Sequence, residues 1–432
     1  MTVSNATITQ ILEKYERFGV DLSLVRIRAV LKRMGNPQHR VPMVHVTGTN
    51  GKGSVCAYLS SVLSAAGYKT GRFTSPHLVA WTERICLNNQ PIAADSLLRS
   101  LRRVEAVSTD IALTQFEVIT AAAWDIFAQE AVDIAVIEVG LGGRLDATNV
   151  CEAPLVTVIT SLSLEHWQRL GPTLADIAGE KAGILKTGRP AVLGSLPEDA
   201  MAVILHRAKL LHCPLIQPAA AQALPTREGV AWATAAGVDY PLPLRGRIQL
   251  HNSALAIATL QCLQQQGWII SDAAIQAGMG STHWAGRIQW TRWRNQPLLI
   301  DGAHNPAAAE ILRNYMDEWC SAQGPRARVH WIVGMLKTKD HRGIFTQLLR
   351  PGDRLSLVPV AGHASASPSD LLRLVQTLCL ELDRCETFTA LPPALESALS
   401  DPEPEEGVVL CGSLYLLGEF LQLQTAQTSS LG

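Results

Sequence analysis

Between an apolar run, residues 41–46, and an amphipathic stretch that begins near Ser54 lies Thr47-Gly48-Thr49-Asn50-Gly51-Lys52-Gly53-Ser54. Glycines let a backbone wrap closely around phosphate oxygens. The start of a helix presents unpaired N–H groups and the positive end of its dipole, and Lys52 can pair with outer phosphates. The segment reads as a phosphate-binding P-loop, although Gly53 intrudes between Lys52 and Ser54 where G-x-x-x-x-G-K-[ST] has nothing. The plain alternative is a Gly-rich structural turn.

Other groups capable of chemistry fall at the ends of apolar runs. Residues 131–139 carry Glu138 near their end and lead into Gly140-Leu141-Gly142-Gly143-Arg144-Leu145-Asp146-Ala147-Thr148-Asn149. A carboxylate at the C-terminal end of a buried parallel strand sits where ligands bind in open α/β sheets. Beside a P-loop it is a natural magnesium ligand. Ser75 after 68–73 and His166 after 155–159 fall at the same edge, so Ser75, Glu138 and His166 are expected to hold metal ions beside a triphosphate. Taken singly, each would be a surface strand end, a turn or a structural histidine. Thr114-Gln115-Phe116-Glu117 fits the S/T-x-x-E capping box, which accounts for Thr114 and Glu117; Phe116 suits either a core or a stack on a flat aromatic ring. Later, Asp301-Gly302-Ala303-His304-Asn305-Pro306 joins a strand to a helix with Pro306 near its first position. Lys339-Asp340 and Ser413 occupy matching strand ends.

The elements that must position these groups alternate. Two helices come first, marked by Ile8, Ile11, Leu12, Tyr15 and Phe18 and by Leu24, Ile27, Leu31 and Met34, with Gly35 as C-cap. Short apolar runs then alternate with amphipathic stretches, which predicts an α/β protein whose N-terminal P-loop mononucleotide-binding domain has a mainly parallel sheet. Residues 214–244 break the rhythm and suggest short antiparallel strands or an irregular excursion. Helices over 252–265 and 272–279 follow, and Gly278 to Gly280 are read as ending the pattern. The boundary falls near 281–285, giving domains 1–283 and 284–432. The second is a smaller, Rossmann-like α/β domain that lacks G-x-G-x-x-G after its first strand, so a dinucleotide is not expected there. The tail, 425–432, reads as disordered.

Composition narrows the class. A chain of 432 residues with 47% hydrophobic content supports two or three domains. With 37 Lys+Arg against 38 Asp+Glu the net charge is -1, so no global field would draw the molecule to nucleic acid or an anionic membrane, and any anion needs a local site. No apolar run is long enough to span a bilayer and residues 1–10 carry no secretory signal. Nine scattered cysteines are read as reduced thiols. A cytoplasmic, soluble protein is the expectation.

The motifs together resemble the folylpolyglutamate synthase/dihydrofolate synthase family of the Mur ligase superfamily. The stretches that carry the resemblance are VTGTNGKGSV (46–55), FTSPHL (73–78), Thr82 to Ile85, Phe116-Glu117, EVGLGGRLDATNV (138–150), 166–186, 249–252, Gly286-Arg287, DGAHNP (301–306) and Ser413-Leu414-Tyr415. The resemblance implies that ATP phosphorylates a pterin-linked carboxylate and that the amino group of L-glutamate attacks the acyl phosphate, giving an amide, ADP and phosphate. It implies that Asn50, Gly51, Lys52, Gly53 and Ser54 hold the phosphates, that Ser75 and Glu138 bind one Mg2+ and His166 a second, and that Asn252, Arg287 and Asp301 complete the nucleotide site. A monovalent cation stays open. His304 and Ser413 would lie near the incoming glutamate. Thr114, Gln115, Phe116 and Glu117 with Leu145, Asp146 and Ala147 would bind the pterin, which favours dihydropteroate as well as reduced folates. Lys52, His166, Lys181, Asp301 and His304 are the implied catalytic set, closed over by the two domains.

Lys181, fifteen residues after His166, falls where the family carries a carbamylated lysine; as a bare cation it would be repelled by the metal, and the alternative is a helix-end lysine favoured by the macrodipole. The chain departs from the family at Glu165-His166, where Asp-His is usual, which puts the geometry behind the metal ligand in question. A peptidoglycan-type Mur ligase is the competing enzyme, disfavoured because only about 45 residues precede the P-loop; a nucleotide-driven conformational switch is the non-enzymatic alternative. A monomer is expected.

Overall fold

The structure is a computed structural model that describes residues 5–15, 22–378, 381–400 and 405–429. It divides into two compact units, one of Met1–Pro243 with Ile248–His283 and one of Leu244–Arg247 with Trp284–Gly432. Phe18 and Cys379, both used in the sequence reading, lie outside the described residues.

The first unit is built on eight strands: β1 (Met43–Thr47), β2 (Thr70–Phe73), β3 (Ile85–Leu87), β4 (Gln90–Pro91), β5 (Ile134–Glu138), β6 (Val156–Ile159), β7 (Ala191–Leu193) and β8 (Leu215–Ile216), in the order β4-β3-β2-β5-β1-β6-β7-β8. From β2 to β8 the pairs are parallel, and β3 and β4 add an antiparallel edge. Strands β1, β5 and β6 are buried throughout, as strands covered on both faces must be, which is why they read as continuous apolar runs rather than alternating ones. Register sets the site: Val46 lies opposite Glu138, and Thr47 opposite Ile159. The P-loop therefore leaves the middle of the sheet between the ends of β5 and β6.

The P-loop helix, Lys52–Ala65, starts at Gly51, whose φ of 86° lies in the left-handed region that glycine tolerates. Helices Asn5–Glu13, Val25–Arg33, Ala94–Val107 and Gln115–Gln129 contribute to a common core with Phe73, Ile85 and Ile137. The first edge hairpin and helix Ala94–Val107 escaped the sequence reading. Residues 222–241 form the antiparallel strands β9 (Gln222–Arg227), β10 (Val230–Ala235) and β11 (Val238–Pro241), one of the two possibilities read for that stretch. Helices Ile248–Gln265 and Asp272–Gly280 complete the unit.

The Gly-rich stretch does end its helix, at Gly280, but Gly278 has a second role. It lies inside Asp272–Gly280, where a Cβ would come within 2.3 Å of the Val62 Cα, and its carbonyl accepts a bond from Ser61 Oγ at 2.7 Å. The residue is small so that two helix backbones can touch.

The second unit has six strands, β12 (Gln289–Trp293), β13 (Gln296–Ile300), β14 (Arg328–Val333), β15 (Arg354–Leu357), β16 (Arg384–Thr387) and β17 (Glu406–Cys411), ordered β12-β13-β17-β14-β15-β16. All pairs but β12–β13 are parallel, with helices between them, as a Rossmann-like domain requires. The expected disordered tail, 425–432, is corrected over 425–429, while 430–432 lie outside the described residues: Leu414–Ser429 is a helix, anchored by the buried Leu416, Leu417 and Phe420, and Gln424 Nε2 donates to Thr291 Oγ1 at 2.9 Å. Three apolar contacts outweighed the polar composition of its end. Among the described residues no helix is long and apolar enough to cross a membrane.

Candidate active site

The P-loop is held from the side as well as by its own turn. Asn50 O accepts from Thr160 Oγ1 at 2.6 Å and Ser161 Oγ at 3.0 Å, while Asn50 N donates to Ser161 Oγ at 2.9 Å. Thr49 exchanges bonds with Ser163 in both directions. This clamp, from the polar run that follows β6, was not singled out in the sequence; its signal was Thr160-Ser161-Leu162-Ser163 directly after a buried parallel strand. Gly48 is required by it, because a Cβ there would lie 2.0 Å from Thr160 Oγ1. Gly51 faces Asn252 in the same way, with Asn252 Oδ1 2.5 Å from where a Cβ would stand, so Asn252 comes to the P-loop. Asn252 Nδ2 donates in turn to Gln249 Oε1 at 3.1 Å.

Two ammonium groups converge on one carbonyl. Lys52 Nζ donates to Gly48 O at 3.0 Å and Thr49 O at 2.9 Å, and Lys181 Nζ donates to Gly48 O at 2.8 Å. Burial, reinforced by the Lys52 charge and opposed by Glu165 and Asp146, pulls the Lys181 pKa down to about 7. Thr47, Gly48, Thr49, Lys52, Gly140, Glu165, His166 and Lys181 line one cleft. His166 reaches it in the left-handed conformation, φ 54°, at the start of a short helix, with its Nε2 3.9 Å from Glu165 Oε1.

At the neighbouring strand ends Ser75 N donates to the buried Glu138 Oε2 at 3.1 Å. The expected metal trio thus divides, with Ser75 and Glu138 together and His166 beside Lys181. Among the described residues there is no cluster of three or more His, Cys, Asp or Glu able to cage a metal. A hydroxyl and a carboxylate at a phosphate loop nevertheless suit Mg2+, which takes one or two protein oxygens and fills its other positions with waters and phosphates.

The loop after β5 is rigid by construction. Asp146 accepts from Leu141 N at 2.8 Å, Thr148 N at 3.0 Å and Thr148 Oγ1 at 2.6 Å, while burial pushes its pKa up. Arg144 N donates to Glu180 O at 2.7 Å, which ties the loop to helix Leu174–Ala182, the carrier of Lys181. Leu145 and Ala147 flank Asp146 on it. Thr114 and Glu117 make the capping box in both directions, and Arg26 Nε adds a 3.1 Å bond to Glu117 Oε2. Phe116 packs against Phe73, centroids 5.9 Å apart, and over Gly140, where a Cβ would meet its ring at 2.5 Å. Gln115 Nε2 donates to Leu12 O at 3.3 Å. Gly53 and Ser54 lie in the first turn of the P-loop helix, after Lys52.

In the second unit Asp301 Oδ2 accepts from Ile288 N and Oδ1 from Ala303 N, both at 2.8 Å. Burial raises its pKa, and the nearby Arg287 opposes this. His304 Nδ1 is 2.7 Å from Gly302 O. Asn305 caps helix Pro306–Gln323 through Ala308 N, and Ser413 Oγ accepts from Tyr415 N at 3.2 Å at the start of Leu414–Ser429. Lys339 and Asp340 lie just ahead of helix His341–Leu348, which Asp340 caps.

A parallel sheet with a P-loop flanked by an acidic strand end, followed by a Rossmann-like unit, defines a ligase of Mur type. Residues 46–260 match the Mur ligase middle domain and residues 286–423 the dihydrofolate synthetase C-terminal domain. The chain is 34% identical to the dihydrofolate synthase/folylpolyglutamate synthase of Escherichia coli, covering 97% of this chain and 95% of that one. It is 33% identical to the folylpolyglutamate synthase of Lacticaseibacillus casei over 90% and 92%. The Mycobacterium tuberculosis folylpolyglutamate synthase solved with ADP and AMPPCP superposes with a TM-score of 0.85 at 30% identity, over 97% of this chain and 98% of that one. An Escherichia coli FolC structure in complex with DHPP and ADP gives 0.84 at 32%, over 99% of each. The chain belongs to the dihydrofolate synthase/folylpolyglutamate synthase family and is an ATP-dependent ligase.

Proposed function

We propose that this chain joins L-glutamate to the carboxylate of dihydropteroate and to the γ-carboxylate of folates already bearing glutamate, through an acyl phosphate. The observation that carries this is the placing of Lys52, His166 and Lys181 around one P-loop carbonyl and cleft, within a chain whose relatives bear both names. The chemical difficulty is electrostatic, since an anionic carboxylate must attack an anionic phosphate, and preorganised positive groups supply the stabilisation. Asn50, Gly51, Lys52, Gly53 and Ser54 hold the phosphates, chiefly through the Lys52 cation and the N–H groups of the helix's first turn. Ser75 and Glu138 would hold one Mg2+ and His166 a second, neutralising charge on the transferring phosphoryl group.

Lys181 would join the second metal position as a carbamate: the ammonium gives up one proton, the neutral amine attacks CO2 as an N–C bond forms and one C=O π pair moves onto oxygen, a second proton leaves nitrogen, and a buried cation becomes an anion. Asn252, Arg287 and Asp301 complete nucleotide recognition, and His304 and Ser413 serve the glutamate. Thr114, Gln115, Phe116 and Glu117 with Leu145, Asp146 and Ala147 receive the pterin. The test is product analysis by mass spectrometry with ATP, Mg2+ and glutamate, supplying dihydropteroate in one reaction and a glutamylated reduced folate in the other. Growth of both by one glutamyl unit is expected. Growth of one alone removes the dual assignment, and growth of neither removes the proposal.

A further inference from the structure

Strand β1 is buried throughout, and the ionisable residue at its centre needs a reason to be there. His45, 2% exposed, sits in Met43-Val44-His45-Val46-Thr47, and burial holds its imidazole neutral, with a pKa pulled down to about 3. His45 and Thr47 are two residues apart, so they project from the same face of the sheet. Both reach the loop that follows β5, at different ends of it. Thr47 Oγ1 donates to Gly142 O at 2.7 Å, and His45 Nε2 lies 2.8 Å from Thr148 Oγ1.

The direction of that second bond follows from counting hydrogens. Thr148 has one hydroxyl proton, and it goes to Asp146 Oδ1 at 2.6 Å. The His45 Nε2 must therefore carry a hydrogen and donate it to Thr148 Oγ1. The order of donation is His45 to Thr148 to Asp146, and the Asp146 oxygens collect Leu141 N and Thr148 N as well. A buried polar network that is fully donated in this way has one arrangement. The part of the chain it fixes is the turn through Leu145, Asp146 and Ala147.

We propose that His45 is a positioning residue for the pteroyl substrate: acting through Thr148 and Asp146, it sets the turn 145–147, so that the strand feeding the P-loop also fixes the affinity for the second substrate. This rests on the reading that 145–147 meet the pterin. The experiment is steady-state kinetics of His45→Leu, His45→Gln and Thr148→Val with dihydropteroate and ATP varied separately. Removing one hydrogen bond from the network is expected to raise the KM for dihydropteroate in His45→Leu by roughly tenfold, with the KM for ATP within about twofold. His45→Gln, which keeps an N–H at similar reach, should recover most of the loss. Thr148→Val should reproduce the loss, and adding His45→Leu to it should cost little more. Should His45→Leu fail to fold by circular dichroism, Thr148→Val against Thr148→Ser carries the same comparison. Equal changes in both KM values, equal behaviour of Leu and Gln, or additive losses in the double variant would overturn the inference. If the wild-type protein extends neither pteroyl substrate, the proposed function fails instead, and the two failures are thus told apart.

Discussion

At Lys181 the fold places an amine where an ordinary lysine is costly: it is buried, its ammonium donates to the Gly48 carbonyl, and Lys52 adds like charge. A pKa near 7 leaves much of the amine neutral at neutral pH, whereas an exposed lysine near 10.4 is almost wholly protonated. Neutral amine is the form that takes up CO2. With bicarbonate present, intact-mass analysis should show the adduct on the wild type and lose it in Lys181→Met; free amine together with full activity of Lys181→Met would reject the role. The unmodified protein makes a further claim about stability. The unfolded chain keeps its proton up to about pH 10.5 while the folded one releases it near 7, so the unfolded state binds more protons between those values. Stability of the CO2-free wild type should therefore rise with pH across roughly 7 to 10.5 relative to Lys181→Met, and be parallel to it below 7. Urea unfolding in degassed buffers reads this slope, and parallel curves throughout would show that the amine is not desolvated.

Helices expose a similar contrast between positions that look alike in sequence. Gly278 in Asp272–Gly280 and Gly179 in Leu174–Ala182 are both helical glycines, yet a Cβ at 278 would strike the Val62 backbone at 2.3 Å while one at 179 would meet nothing within 4 Å. Gly278→Ala must separate two helices and should cost about 1–3 kcal/mol. Gly179→Ala should stabilise by about 0.5–1 kcal/mol, because alanine loses less backbone entropy in a helix. Chemical denaturation of the two variants checks both signs, and a neutral Gly278→Ala would disprove the close crossing. What could be read without coordinates follows the same line. The P-loop, Glu138, His166 and the strand-helix rhythm were legible because local spacing encodes them. The Thr160-Ser161-Ser163 clamp and the packing of Gly278 were not, since each depends on a partner distant in the chain; the edge strand β12 was missed although its partner β13 follows at once, because the turn Arg294-Asn295, both at positive φ, contains no glycine to announce it. The end of Leu414–Ser429 misled for the converse reason: its composition is polar, but its buried face decides its structure.

With a net charge of -1 the molecule as a whole has no field to gather anions, so the proposed phosphate site has to supply its own affinity from the P-loop and the groups that buttress it. That makes nucleotide binding separable from folding. A ligand that binds only the folded protein stabilises it by about 2.7 kcal/mol at one hundred times its dissociation constant, which at an unfolding entropy of about 2.1 cal/mol/K per residue over 432 residues corresponds to a rise in Tm of about 3 °C. Wild-type protein with ADP and Mg2+ should show a shift of this size by differential scanning fluorimetry. Lys52→Ala removes a partly buried cation and two bonds to loop carbonyls without touching the core, so its ligand-free Tm should stay within about 1 °C of wild type while the nucleotide-induced shift and ADP formation are lost. A collapsed ligand-free Tm would mean that Lys52 holds the loop together rather than the phosphates. A retained shift would mean that the nucleotide binds elsewhere, and the charge arrangement around Gly48 would need another explanation.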